Sequence, residues 1–183
     1  MKNSLKPIVD YLMENRGFDF SGYHPAMLER RIGQRLTATS SEDFSEYLSC
    51  LQRNADELDH LIDVITINVS RFFRDTLTFE LIADRILPAI ILNKTRLQDH
   101  SLRVWSAGCA MGEEPYSLAI LIHELLEKEG LAMNLHIFAT DIDSRALKDA
   151  GGAVYSLSSI KNMKYRLLTK YFSQEGTSFR LIP

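Results

Sequence analysis

The sequence predicts an α/β chain in two parts, an N-terminal helical bundle over residues 1–66 and an incomplete doubly wound parallel-sheet domain over residues 67–183. Three observations lead there. Apolar residues recur at helical spacing through the first third of the chain. The stretch LRVWSAGCAMGEEPYSLAI, residues 102–120, passes from a β-prone run through two glycines into a helix former. A second buried-strand pattern, LHIFAT at 135–140, follows the stop signal Gly130.

In the first part, Leu5, Ile8, Val9, Leu12 and Met13 define one helix, which Gly17 ends. A second helix starts at Pro25 with Met27, Leu28, Ile32 and Leu36 on one side, and Arg30, Arg31 and Arg35 on or beside the other. Ser40 or Ser41 is the expected N-cap of a third helix, with Asp43 in its first turn, and Asn54 that of a fourth. These four apolar faces can bury one another. Residues 65–75, ITINVSRFFRD, interrupt the helical pattern, and TFELIADRIL resumes it. After the second strand come a short helix, SRALKDA, a break at GGAVYS, and a further helix at MKYRLLTKYF.

Composition narrows the function. A hydrophobic fraction of 45% suits a soluble chain, and a net charge of −3 provides no global attraction to nucleic acid, so none is expected as a partner. The longest apolar run, ILPAIIL at 86–92, contains Pro88 and falls far short of the roughly 20 residues a membrane span needs. No signal-peptide core is present at the N-terminus. Cys50 and Cys109 have no metal-ligand spacing, and reduced thiols fit a cytoplasmic protein. The five histidines show no metal or catalytic spacing either, so no metal is expected.

The glycine turn is the chemical centre of the sequence. A strand, a tight turn and a helix present backbone N–H groups to a ligand, and Gly108 admits positive φ or close backbone approach. Glu113 and Glu114 suit the start of a helix but would repel a pyrophosphate. A nucleoside carrying positive charge and hydroxyls fits better, and S-adenosylmethionine is such a molecule. Asp141, at the end of the second strand, can accept hydrogen bonds from ribose hydroxyls at the same sheet edge. Each signal also has a plainer reading. The glycines can form an ordinary turn, and the acidic run can cap a helix through Asp143 or Ser144. Glu114 can be a first-turn charge, Arg74 a surface arginine beside buried rings, and the three arginines of the second helix a solvated face. Trp105 and the aromatics of SRFFRD read as core, with stacking on adenine the alternative for a ring beside the turn.

Taken together, the chain resembles the chemotaxis receptor methyltransferases of the CheR type. The landmarks are Phe18-Asp19-Phe20, the Arg30-Arg31 helix, ITINVSRFFRD at 65–75, VWSAGCAMGEEPYSLA at 104–119, ATDID at 139–143, Gly152-x-x-Tyr155, and Tyr171-Phe172. The resemblance implies a Rossmann-like S-adenosylmethionine-dependent domain that methylates receptor glutamates and releases S-adenosylhomocysteine. It places Asn68, Ser70, Arg74, Glu114 and Asp141 on the family's cofactor-contacting positions, beside Gly108. Ser70 stands where the family usually has threonine. Arg74 is also the catalytic candidate, holding the methionine carboxylate or shaping the field near the methyl group. Arg30, Arg31 and Arg35 become candidates for binding the acidic acceptor helices of a methyl-accepting chemotaxis receptor.

Two further expectations follow. The stretch from Leu102 to Pro183 is short for a doubly wound domain, which takes on the order of 150 residues. The family's small β subdomain and later adenine-contacting segments are therefore expected to be missing. A partial sheet would expose an edge and apolar faces, favouring a homodimer through the half-sheet. The alternatives to an active enzyme are a catalytically inactive module that binds receptor or cofactor and, more remotely, a nicotinamide-dependent oxidoreductase.

Overall fold

The structure, a computed structural model, describes residues 5–66 and 70–182. The chain separates into two compact units, Met1–Ile67 and Asn68–Pro183.

The first unit contains α1 (Lys6–Arg16), α2 (Pro25–Ala38), α3 (Phe44–Arg53) and α4 (Ala55–Ile65). Gly17 closes α1 at φ 71°, and Asn54 caps α4 by accepting from the N–H groups of Asp56 and Glu57. At α3 the expected cap is displaced. Asp43 accepts from Ser45 and Glu46, so the helix begins at Phe44 and the serines lie outside it. Ile8, Leu12, Leu28, Ile32, Tyr47, Leu51, Leu61 and Ile65 form the shared core.

Within that core lies a polar cluster. Arg35 grips Glu57 with two hydrogen bonds, 2.9 Å from Nε to Oε1 and 2.6 Å from Nη2 to Oε2. Tyr47, fully buried, donates its hydroxyl to the same carboxylate at 2.7 Å. The sequence groups Arg35 with Arg30 and Arg31 on a solvated face. Its spacing from Leu28 and Ile32, i+7 and i+3, instead puts it on their stripe, and its charge is neutralised inside the unit.

The second unit opens with α5 (Thr76–Leu81), which passes through a π-turn at Ile82–Ile86 into α6 (Leu87–Arg96). Pro88 explains the wider turn, since it has no N–H for an ordinary helical bond to the preceding turn. Strands β1 (Ser101–Ala107) and β2 (Asn134–Thr140) pair in parallel, from Ser101 opposite Asn134 to Ala107 opposite Thr140. Helix α7 (Glu113–Glu129) makes the crossover. Leu102, Val104 and Leu135 pack with Leu87 and Ile122 on one sheet face. The other face is open: Trp105 and Phe138, register partners, are 71% and 57% exposed. Trp105 is thus not core. Its indole N–H donates to Thr140 Oγ1 at 3.0 Å.

Helix α8 (Ser144–Gly152) leads into β3 (Val154–Ser156), α9 (Leu157–Ile160), α10 (Tyr165–Tyr171), β4 (Phe172–Glu175) and β5 (Ser178–Leu181). The last three strands form an antiparallel sheet in the order β3-β5-β4. A small β subdomain, expected to be absent, is therefore present. Strands of three or four residues show too little alternation to be recognised, and helical spacing through MKYRLLTKYF hides the change to strand at Phe172.

Between α7 and α10, Glu124 binds Lys170, Arg166 and the Tyr171 hydroxyl. Burial alone would raise this carboxyl, but the hydrogen bonds from Lys170, Tyr171 and Arg166 outweigh it and bring it down to about 2. A carboxyl depressed in the folded state stabilises above its unfolded value, about 4.3, and that contribution disappears as pH falls toward 2. The Lys170→Met variant is expected to raise the Glu124 titration toward the ordinary value and weaken the acid dependence of unfolding. Carboxyl-carbon NMR measures the first effect, and a Glu124 midpoint unmoved by the substitution would refute the assignment.

Candidate cofactor site

The parallel register brings the C-terminal ends of β1 and β2 together. The Thr140 carbonyl accepts from the N–H of Gly108 at 2.8 Å and of Cys109 at 3.0 Å, so the glycine turn is tied to the neighbouring strand at its first residue. Gly108 lies at φ 77° and Gly112 at φ 93°, conformations that glycine adopts without the Cβ penalty. Space matters as well at Gly112, where a Cβ would come within 3.0 Å of Ala150 Cβ and of the Tyr155 hydroxyl.

Asp141 joins the two turns directly. Its Oδ2 accepts from Ala110 N–H at 2.7 Å and its Oδ1 from Asp143 N–H at 2.9 Å. Asp143, not Asp141, caps α8, accepting from Arg145 and Ala146. Each Asp141 oxygen retains a second lone pair, so accepting these bonds does not exclude a ligand hydroxyl.

The paired glutamates divide between core and surface. Glu113 is fully buried, with both carboxyl oxygens lacking a hydrogen-bond partner among the described residues. Burial pushes its titration up. Glu114 is exposed and accepts the hydroxyl of buried Ser106 at 2.7 Å. Burial, and then the charge of Asp141, pushes the Cys109 thiol up, so this cysteine is no ready nucleophile.

The segment carrying Arg74 is anchored to the same end of α7. Phe73 N–H donates to Ser117 Oγ at 3.1 Å, and Ser117 in turn donates to the Glu113 carbonyl at 2.6 Å. Phe72 N–H donates to the Ser159 carbonyl at 2.9 Å. Phe73 takes φ 53°, and exposed Arg74 follows. Ser70 is half-buried, and Asn68 lies outside the described residues. An apolar cavity of about 280 Å³ adjoins the turn, lined by residues including Gly112, Pro115, Tyr116, Ile137, Leu147 and Ala150.

Gly108, Glu114 and Asp141 thus share one edge of the parallel sheet, and Arg74 is held near the start of α7. Three contributors were missed in the sequence: Ser106, which orients Glu114; Ser117, which anchors Phe73; and Tyr155, whose hydroxyl reaches Met111. Ser106 was the most accessible of these, since strand alternation puts it on the same face as Leu102 and Val104. In the helical unit, Arg30 is exposed and Arg31 half-buried, its Nε without a hydrogen-bond partner among the described residues.

The donor set fits a cationic nucleoside. Two carboxylates lie at the strand ends, and the turn from Gly108 to Gly112 contains no lysine or arginine that would neutralise a pyrophosphate. Elsewhere, His123, Glu124 and Glu127 come close enough to share an ion, but both carboxylates are engaged by Lys170.

Comparison with known proteins adds to this geometry. Residues 68–182 match the SAM-binding domain of CheR methyltransferases, and residues 3–66 match the all-alpha domain of the same family. A chemotaxis protein methyltransferase from Borreliella burgdorferi is 30% identical over 94% of this chain and 62% of its own length. Chemotaxis protein methyltransferase 2 of Vibrio cholerae is 31% identical over 94% of the chain and 60% of its own length. For the Listeria innocua chemotaxis protein methyltransferase the values are 31%, 95% and 66%. The chain therefore spans roughly three fifths of the length of these curated relatives.

Proposed function

This chain belongs to the CheR methyltransferase family, and on that premise we propose that it binds S-adenosylmethionine at the ends of β1 and β2 and serves the methylation of glutamate side chains on methyl-accepting chemotaxis receptors. The observation that carries the reading is the Ala110–Asp141 contact, which joins the two strand-end turns into one crevice with a carboxylate at its centre.

In this reading Asp141 takes the ribose hydroxyls and Gly108 allows close approach of the ligand. Glu114, held by Ser106, faces the cationic end. Arg74 pairs with the methionine carboxylate, and Asn68 and Ser70 complete the contacts. Bound there, the cofactor supplies an electrophilic methyl group on a sulfonium. An ionised receptor glutamate is already a nucleophile: its oxygen forms the new bond to the methyl carbon as the carbon–sulfur bond breaks, leaving a neutral thioether. No strong base is needed, and the protein contributes positioning and electrostatics. Arg30 and Arg31 would meet the acidic acceptor helix. Arg35 is already paired with Glu57, which leaves Arg30 and Arg31 to meet the acceptor. The open sheet face bearing Trp105 and Phe138 supports self-association, which light scattering across a concentration series tests.

Calorimetric titration is expected to show saturable binding of S-adenosylhomocysteine and none of NAD. Transfer of a radiolabelled methyl group to receptor glutamates is expected with the acceptor present. NAD binding without S-adenosylhomocysteine binding would replace this reading with the oxidoreductase one.

A further inference from the structure

The glycine turn is held by a side chain from the small antiparallel sheet. Tyr155 is the middle residue of β3 and pairs with Phe179 of β5. It is 4% exposed, and its ring makes edge contacts with Phe72 at 4.8 Å and Phe172 at 6.3 Å between centroids. Its hydroxyl donates to the Met111 carbonyl at 2.9 Å. One residue therefore touches the cofactor turn, the segment leading to Arg74, and the sheet formed by residues far downstream.

The position of that hydrogen bond matters. Met111 precedes Gly112, and a peptide plane next to glycine rotates at little steric cost because no Cβ resists it. Ala110, at φ 50°, is a non-glycine residue in a left-handed conformation, which persists only where its surroundings hold it. With the Met111 carbonyl pinned, neither relaxation is open, and the turn's N–H groups stay aimed at the strand ends. Burial pushes the Tyr155 phenol's ionisation up, so it remains a donor.

We propose that Tyr155 is a positioning residue of the cofactor site: it fixes the Met111 carbonyl and thereby couples the seating of the three-stranded sheet to the shape of the Gly108–Gly112 turn. The proposal rests on the cofactor reading above. Anything that shifts this sheet would be felt at the turn, and cofactor binding would in return steady the sheet.

Tyr155→Phe keeps the ring and removes the donor. The expected result is a rise in the S-adenosylhomocysteine dissociation constant of about two- to twelvefold, the equivalent of one hydrogen bond. In the ligand-free protein, amide exchange at residues 109–112 is expected to accelerate by a similar factor, with exchange in β3 and β5 unchanged. Phe172→Leu loosens the same aromatic cluster from the sheet side and is expected to accelerate exchange at the turn as well.

Tyr155→Phe with wild-type affinity and wild-type turn exchange would overturn the proposal. So would acceleration spread evenly over the whole unit, the signature of plain destabilisation. A quiet turn in Phe172→Leu would overturn the coupling. If the wild-type chain binds no S-adenosylhomocysteine, the cofactor reading fails, and the exchange measurements still decide the role of Tyr155.

Discussion

Arg35→Ala is expected to destabilise the helical unit by about 3 to 5 kcal/mol, the cost of leaving one partner of a buried ion pair uncompensated. The Glu57 side chain is only 5% exposed, and without Arg35 its carboxylate retains, among the described residues, only the Tyr47 hydroxyl as a close donor. His60, at 3.9 Å, is half-exposed and too distant to replace a two-point grip. For a domain of this size each kcal/mol moves the melting temperature by roughly 4 to 8 °C, so circular dichroism should detect a drop above about 10 °C.

The pH dependence checks the cause. Burial alone would raise the Glu57 carboxyl, but the Arg35 and Tyr47 hydrogen bonds hold it below the usual range. Its contribution is therefore complete above the unfolded value, about 4.3, and is lost as pH falls through the lowered folded value. In the variant burial is no longer opposed by Arg35, so Glu57 takes up a proton more readily, and the gap to wild type should narrow between pH 7 and pH 4. A gap below about 1 kcal/mol, the range of surface ion pairs, would show that Arg35 belongs to the solvated face after all.

The two Arg35 readings show how far the sequence could be read. Helical periodicity identified α1 to α4, and it also contained the answer for Arg35, because Leu28, Ile32 and Arg35 share one stripe. A charged residue on an apolar stripe is easily discounted when its partner, Glu57, lies two helices away. The same rule separates the adjacent glutamates of α7: Glu113, Ser117 and Ile120 occupy i, i+4 and i+7 and are buried, while Glu114 turns outward. Trp105 departs from its core reading for a different reason: alternation puts it on the face opposite Leu102 and Val104, and that face, usually covered in a parallel sheet, leaves it exposed here. Tyr155 was visible only as a landmark, since no local pattern announces a hydroxyl that meets a carbonyl 44 residues away.

Asp141→Ala is expected to weaken S-adenosylhomocysteine binding by about 1.5 to 3 kcal/mol, roughly ten- to 150-fold, through loss of a charged acceptor. Two causes act together. On the proposed reading the ribose hydroxyls lose their carboxylate, and Ala110 N–H, on a residue 9% exposed, loses its acceptor. An orphaned donor beneath a left-handed alanine favours relaxation of the turn, so ligand-free amide exchange at Ala110 should also rise. Asp141→Asn separates these causes. It retains one carbonyl for Ala110 but sets an amide NH₂ against the Asp143 N–H, so its affinity should fall between wild type and alanine. Asp143→Ala is the control: it removes the α8 cap, costing about 1 kcal/mol of stability, and should leave affinity little changed. If Asp141→Ala binds S-adenosylhomocysteine as tightly as wild type does, the carboxylate serves only to pin one turn to the other, and the ribose must be recognised elsewhere.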